Sequence, residues 1–204
     1  MAEHDNEFWE TSFSEKKEMW GMDPVNSALL ANTLFLEENL KTILVPGFGY
    51  GRNAHFFHQN GMEVTGIEIS KTAIDLARKH YGEEMTVHHG SVSDMPFDDK
   101  KYDGIFCYAL IHLLDQRARW KLVSDCYDQL AENGYMIFSF ISKEASTYGT
   151  GRFVSTDCYE IHPGVSIYFY DNESVLEQFK DYGLVDVKMI TENFPFFYVV
   201  CKKQ

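Results

Sequence analysis

Several things are scarce in this sequence, and each scarcity excludes something. Cysteine is rare: Cys107, Cys126, Cys158 and Cys201 are scattered through 204 residues with no CxxC pair. That argues against a disulfide framework or a paired-cysteine metal site and for free thiols, and no metal is expected. Basic residues are outnumbered, 18 Lys and Arg against 31 Asp and Glu, for a formal net charge of −13. Binding a phosphate backbone needs clustered Lys and Arg, so nucleic acid is not an expected partner and a small molecule is. No apolar run approaches the roughly 20 residues that cross a bilayer. The opening MAEHDNEFWE is acidic and lacks the basic and apolar regions of a secretory signal. The expectation is a soluble cytoplasmic protein that engages no membrane. Repeats, low-complexity tracts and long linkers are also missing, which predicts one domain over residues 1–204. The oligomeric state is left open.

What is present is alternation. Residues 23–40, DPVNSALLANTLFLEENL, carry apolar residues at helical spacing behind an Asp–Pro start, predicting a helix capped by Asp23 with Pro24 in its first turn. Then KTILV predicts a strand, GRNAHFFHQNG a helix ending at Gly61, MEVTGIEI a strand, and SKTAIDLARKHYG a helix capped by Ser70 and closed by Gly82. MTVHHG and KYDGIFCYAL predict strands around a turn-rich SVSDMPFDDK. DQRARWKLVSDCYDQLAENG predicts a helix, and YMIFSFI a buried strand. NESVLEQFKDYG predicts a last helix, and LVDVKMITENFPFFYVVCKK two strands about a Glu–Asn turn. Strands alternating with helices imply βαβ units. The expected fold is therefore α/β, a doubly wound, mostly parallel seven-stranded sheet of Rossmann-like type ending in an antiparallel hairpin. Residues 1–40 stand apart as N-terminal helices or a flap. Residues 143–170, aromatic and turn-rich without helical period, are expected to form an irregular substrate lid inserted after the fifth strand.

The stretch ILVPGFGYGRNA places Gly47, Gly49 and Gly51 at every second position directly after the first strand. Glycine loses the most conformational freedom on folding, so three in five residues imply a backbone that must turn sharply or approach a ligand. In a doubly wound sheet this exit loop is the usual ligand contributor. Glu68 ends the second strand 21 residues after Gly47, the spacing at which a carboxylate meets a ribose diol. The dinucleotide fingerprint requires a glycine at the sixth position, and counting from Gly47 that position is Arg52.

With GxGxG in place of GxGxxG, the chain from about Lys41 to Phe140 resembles class I S-adenosylmethionine-dependent methyltransferases. It is similar to small-molecule members such as the tellurite-resistance and thiopurine methyltransferases, where a WG…P pattern, here Trp20, Gly21 and Pro24, also precedes the core. The resemblance implies S-adenosyl-L-methionine as cofactor and methyl transfer to a small-molecule nucleophile by in-line displacement. It implies that Gly47, Phe48, Gly49, Gly51 and Asn53 lie under the methionine part, that Glu68 holds the ribose and that Ile69 packs on adenine. Ser91 and Val92 of GSVSDMPF take the adenine-side position where an Asp is common, while Trp20 and Pro24 close over the cofactor. After the fourth strand, Cys107, Tyr108, Ala109 and His112 would line the sulfonium and substrate, with His112 the first candidate for a base and Tyr108 the second.

Other readings stand beside these. His112, on an apolar segment, is equally a hydrogen-bonded core residue, and Trp9, Phe13 and Trp20 are either a flap or a staple of the N-terminal helices. His88 and His89 are adjacent and so face opposite ways in a strand. As alternatives, the fold also suits a non-catalytic S-adenosylmethionine-binding protein or a nicotinamide-dependent oxidoreductase. No Asp/Asn-Pro-Pro-aromatic motif follows the fourth strand, where FCYA stands instead, which lowers the odds of nucleic-acid or amide substrates.

Overall fold

A computed structural model describes residues 2–204, with side chains from Glu7 onward. The helices are α1 (Ala2–Lys16), α2 (Asn26–Glu37), α3 (Arg52–Gln59), α4 (Lys71–Tyr81), α5 (Gln116–Gln129) and α6 (Asn172–Phe179). The strands are β1 (Thr42–Pro46), β2 (Glu63–Glu68), β3 (Thr86–His89), β4 (Tyr102–Tyr108), β5 (Leu130–Ile141), β6 (Arg152–Ser155), β7 (Cys158–His162), β8 (Val165–Tyr168), β9 (Leu184–Thr191) and β10 (Pro195–Lys202). Seven strands form one sheet in the order β3-β2-β1-β4-β5-β10-β9. β1 to β5 run parallel, and β10 is antiparallel to both β5 and β9. The expected doubly wound sheet with a closing hairpin is what the chain forms.

The parallel strands are covered on both faces, which is why they read as nearly unbroken apolar runs. Because side chains alternate along a strand, each strand feeds two cores. Leu44, Ile105, Cys107, Phe138 and Phe140 face α5 and α6, against Val123, Cys126, Val175 and Phe179. Ile43, Val45, Phe106 and Ile137 face the other way, against Ala28 and Phe35 of α2 and Phe57 of α3. Each such wholly buried large side chain contributes roughly 1.5–3 kcal/mol.

Strand order reverses between β1 and β4, the position where open α/β sheets bind ligands at their carboxyl ends. Pairings Pro46–Ile67, Glu68–His89, Tyr108–Ser139 and Phe196–Ile141 put the ends of β1, β2, β4 and β5 and the start of β10 on that same edge.

Local chemistry explains most boundaries. Ser70 accepts the Ala73 amide and Gly82 follows α4 at φ +78°. Asp115 accepts the Ala118 amide, and Asp171 with Ser174 forms a capping box on α6. Three expectations need correction. α2 starts at Asn26, not at an Asp23 cap; its N-cap is Val25, which offers no side-chain bond. Its free amides go to a distant carboxylate, described below. Residues 130–134 leave the helix and open β5, since Leu130 pairs with Tyr102. Residues 143–170 are not irregular: they contain a three-stranded antiparallel meander, β6-β7-β8. His88 and His89 do diverge, to Asp98 and to the Ile69 carbonyl respectively. No described helix is long and apolar enough to cross a membrane.

Candidate functional site

The three glycines of the β1–α3 turn serve three different needs. All have positive φ, +71° at Gly47, +58° at Gly49 and +85° at Gly51. A Cβ at Gly47 would stand 3.1 Å from Leu110, and one at Gly51 would stand 3.0 Å from the Phe48 ring. At Gly49 nothing lies within 4 Å, so this residue alone borders open space. The Gly47 and Phe48 amides both donate to the Ile67 carbonyl, tying the turn to β2. Phe48 itself is buried, its ring pressed against the position where Gly66 lacks a side chain.

Glu68 closes the turn from the β2 side. Its Oε2 accepts the Gly49 amide at 2.7 Å and its Oε1 accepts the Ser70 amide at 2.9 Å. The residue is 6% exposed. Burial pushes its carboxyl up, opposed by the Ser70 and Gly49 amides. Among the described residues no cation pairs with it. Two amides occupy two of about four acceptor positions, so a buried carboxylate is left able to take further donors such as a vicinal diol. Ile69 is half-buried beside it. Ser91 and Val92 begin the turn after β3, where the Ser91 hydroxyl accepts the Ser93 amide and Val92 is buried.

The chain before α2 lies against this turn. Tyr50, 2% exposed, accepts the Trp20 amide and donates to the Gly21 carbonyl, while its ring stacks on Trp20 at an angle of 13°. Arg52 donates to the Trp20 and Asp23 carbonyls, and Asn53 Oδ1 accepts the Val25 amide at 3.1 Å. Trp9 and Phe13 of α1 pack on the same Trp20–Tyr50 pair. The structure thus ties Trp20 to the glycine turn and Val25 to Asn53, with Pro24 lying between Asp23 and Val25, which are both bonded to the start of α3. Sequence reasoning missed Glu10, which receives the Ser70 and Thr72 hydroxyls and the Thr72 amide at the start of α4. No local pattern could have revealed a bond spanning about 60 positions.

β4 exits in Tyr108, Ala109 and a short 3-10 turn at Ile111–Leu113. Ala109 is held at φ +52°, a conformation rare for a residue with a Cβ, by its amide bond to the Ser139 carbonyl. Cys107, expected to line the site, does not turn its side chain that way. It is fully buried in the α5 core on the face opposite Tyr108, so only its backbone can border the site. Burial also pushes the Cys107 thiol well up.

His112 is 6% exposed and sits edge-on to Phe196. Its Nδ1 accepts the Ile141 amide at 3.4 Å, which places the ring proton on Nε2. Burial drives its pKa down to about 3. The ring is therefore a neutral Nε2–H donor at ordinary pH, an arrangement that fits the core-residue reading of His112 better than that of a general base. Tyr108, half-buried and stacked on Phe196 at 5.7 Å, has its phenol pushed up by burial and by the nearby Glu192 charge, so it stays protonated. Around them lies an aromatic wall in which Phe169, Tyr148 and Tyr159 from the 143–170 segment join Phe196 and Phe194.

Three charged side chains near this wall already have polar or aromatic partners. Lys143 bridges Asp157 and Asp171. Arg119 donates to the Leu114 carbonyl and lies 3.8 Å over the Tyr168 ring. Glu192, in the β9–β10 turn, accepts the Ser27 amide at 2.7 Å and the Asn26 amide at 3.1 Å.

Known proteins give the same picture. Residues 43–134 match the model of a methyltransferase-domain family. Among curated proteins, the chain is 27% identical over 144 residues to a ubiquinone biosynthesis O-methyltransferase of Alkalilimnicola ehrlichii, covering 69% of this chain and 57% of that one. It is 38% identical over 82 residues to the O-methyltransferase cnsE of Penicillium expansum, covering 37% of this chain and 30% of that one. The chain thus spans between about a third and just over half the length of these relatives. Among solved structures, the 1,6-didemethyltoxoflavin-N1-methyltransferase of Burkholderia thailandensis, bound to S-adenosylhomocysteine, superposes with TM-score 0.76 at 16% identity over 98% of this chain and 88% of that one. An S-adenosylmethionine-dependent methyltransferase from Clostridium acetobutylicum superposes with TM-score 0.72 at 15% identity over 98% of both chains. Residues 43–134 thus match a methyltransferase-domain model, and the fold of the whole chain is that of the S-adenosylmethionine-dependent methyltransferases it superposes on.

Proposed function

We propose that this protein transfers a methyl group from S-adenosyl-L-methionine to a small, uncharged aromatic acceptor. The observation that carries the cofactor half is Glu68: a buried carboxylate with no cationic partner among the described residues, beside the open space at Gly49. In this reading Glu68 accepts from the ribose hydroxyls and the Gly47–Gly51 backbone passes beneath the methionine part. Ile69, Ser91 and Val92 flank the adenine, and Ala109 borders the sulfonium. Trp20, Pro24 and Asn53 form a roof over the cofactor. Residues 143–170 form the lid on the acceptor side, and one domain houses both substrates. The bound cofactor supplies a methyl group made electrophilic by its sulfonium.

The chain's own part is placement. An in-line displacement gains most from holding nucleophile and methyl group in register. The partly buried rings of Tyr108 and Tyr148, backed by the buried Phe169 and Phe196, offer flat faces for an acceptor ring. Lys143 is taken up by Asp157 and Asp171, whereas the Tyr108 hydroxyl and His112 Nε2–H can donate to a neutral acceptor. Neither group titrates near neutrality, so the acceptor arrives with its lone pair available. The curated relatives are O-methyltransferases and one structural neighbour is an N1-methyltransferase, so transfer to either oxygen or nitrogen fits this reading. Neither a membrane nor a nucleic acid takes part, and the reaction runs in the cytoplasm.

Calorimetric titration with S-adenosylmethionine and S-adenosylhomocysteine tests this directly. Micromolar binding, followed by methylation of neutral aromatic compounds in a screen with labelled donor, is the expected outcome. Silence at millimolar ligand overturns the whole reading, and binding without turnover on any aromatic acceptor overturns its catalytic half.

A further inference from the structure

α2 is a three-turn helix whose first amides have no local partner. Its N-cap, Val25, has no capping side chain, and no acidic residue lies in its first turn. Uncapped helix amides normally go to a nearby Ser, Thr, Asp or Asn. Here they go across the fold. Glu192 lies 165 residues away in the β9–β10 turn, and its two oxygens take the Ser27 and Asn26 amides. The Asn26 side chain returns a bond to the Thr191 carbonyl at 2.7 Å, so helix and hairpin are joined from both sides. A carboxylate at a helix N-terminus is also favoured by the helix dipole.

The two parts joined in this way belong to different halves of the site. Upstream of Asn26, Val25 is bound to Asn53, and the Trp20–Asp23 stretch is bound to Tyr50 and Arg52 of the glycine turn. Downstream of Glu192, Phe194 and Phe196 belong to the aromatic wall, as Ile190 does just before it. Glu192 also lies near enough to Tyr108 for its charge to be felt at that phenol.

We propose that Glu192 is a positioning residue that fixes the 20–25 segment over the glycine turn by clamping α2 to the β9–β10 hairpin, and that through this clamp the acceptor wall and the cofactor side are held in one register. It touches neither substrate. Its cofactor arm rests on the methyltransferase reading, and its structural arm does not.

The test compares the intact protein with Glu192→Ala and Glu192→Gln. Hydrogen exchange is read at the Trp20 and Val25 amides, which are bonded to Tyr50 and Asn53 and not to Glu192. The clamp predicts exchange faster by at least tenfold in Glu192→Ala, with Glu192→Gln in between because one acceptor oxygen remains. Unchanged exchange there, with acceleration confined to Asn26 and Ser27, makes Glu192 a mere helix cap and overturns the proposal. The second arm measures the Kd for S-adenosylhomocysteine at a temperature where circular dichroism shows every variant folded. The expected result is about tenfold weaker binding in Glu192→Ala, and a Kd within twofold of the intact protein overturns the coupling. Absence of binding by the intact protein counts against the methyltransferase reading alone, and the exchange arm still decides the clamp.

Discussion

The β1–β2 side of the site and the β5–β10 side are built by different means. On the first, main-chain amides and one carboxylate hold one another in a turn whose partners are 19 residues apart. Its geometry follows from backbone conformation, with three left-handed glycines and a strand-end acid. On the second, aromatic side chains from β4, β10 and the lid come together, and the polar bonds that hold them run between distant segments, such as Asn26 to Glu192. The first side suits a ligand that never varies. The second can change one ring at a time and suits an acceptor that does.

Substitutions that strike one side and spare the other can break this comparison. The largest effect is expected from Glu68→Ala, which removes the proposed ribose acceptor and leaves the Gly49 and Ser70 amides unpaired. A charge-assisted hydrogen bond contributes about 1.5–3 kcal/mol, so S-adenosylhomocysteine binding should weaken by at least about tenfold per bond lost, read by calorimetry. Next come Gly51→Ala and Gly49→Ala. Each forces a Cβ into a left-handed conformation at roughly 1–2 kcal/mol, but only at Gly51 does that atom also meet Phe48, at 3.0 Å. Gly51→Ala should lower Tm by about 5 °C or more, while Gly49→Ala should show the smaller Tm change and the larger loss of cofactor affinity. Equal affinities in the two would place the cofactor elsewhere.

Smaller effects are expected on the acceptor side. Lys143 holds the Asp171 carboxyl down to about 2. Because the folded pKa lies below the unfolded one, that contribution is present above about pH 4 and fades as pH falls towards 2. Lys143→Met should therefore lose less than about 1 kcal/mol, given the partial exposure of the pair. The Tm gap to the intact protein should narrow on acidification. A gap that widens would mean the triad is not what ties the lid. The smallest effect concerns His112. With its pKa at about 3, kcat/KM should show no inflection near 6.5 that His112→Gln abolishes. The unfolded chain binds that proton near 6.5 and the folded one does not, so His112 makes the fold less stable as pH falls from about 6.5 towards 3. Its replacement by Gln should flatten that loss.

The same division governs what could be foreseen. The glycine turn, Glu68 and the alternation of strand and helix were legible because each is a pattern within one short stretch. Ser70 and Gly82 around α4 illustrate this, since cap and stop lie in the segment itself. α2 misled because an Asp–Pro pair imitates a helix start while the true acceptor, Glu192, is remote. The β6–β8 meander escaped because its strands are short, rich in turn residues and exposed along β6, leaving no apolar alternation to read. Cys107 lies in β4 and His112 in the turn after it, and which face each side chain takes is set by packing that no local pattern reveals.

The ends of the 143–170 segment meet. Ser142 pairs with Tyr170, the Lys143 amide donates to the Tyr170 carbonyl at 2.8 Å, and the Tyr170 amide donates to the Ile141 carbonyl. The chain leaves the sheet and returns to it at nearly one point, so everything between is a cassette on a common base plate. Descendants of such a scaffold can trade that cassette, lengthen it or replace it wholesale while β5 and α6 keep their places. Acceptor range can then drift on a timescale unrelated to that of the glycine turn.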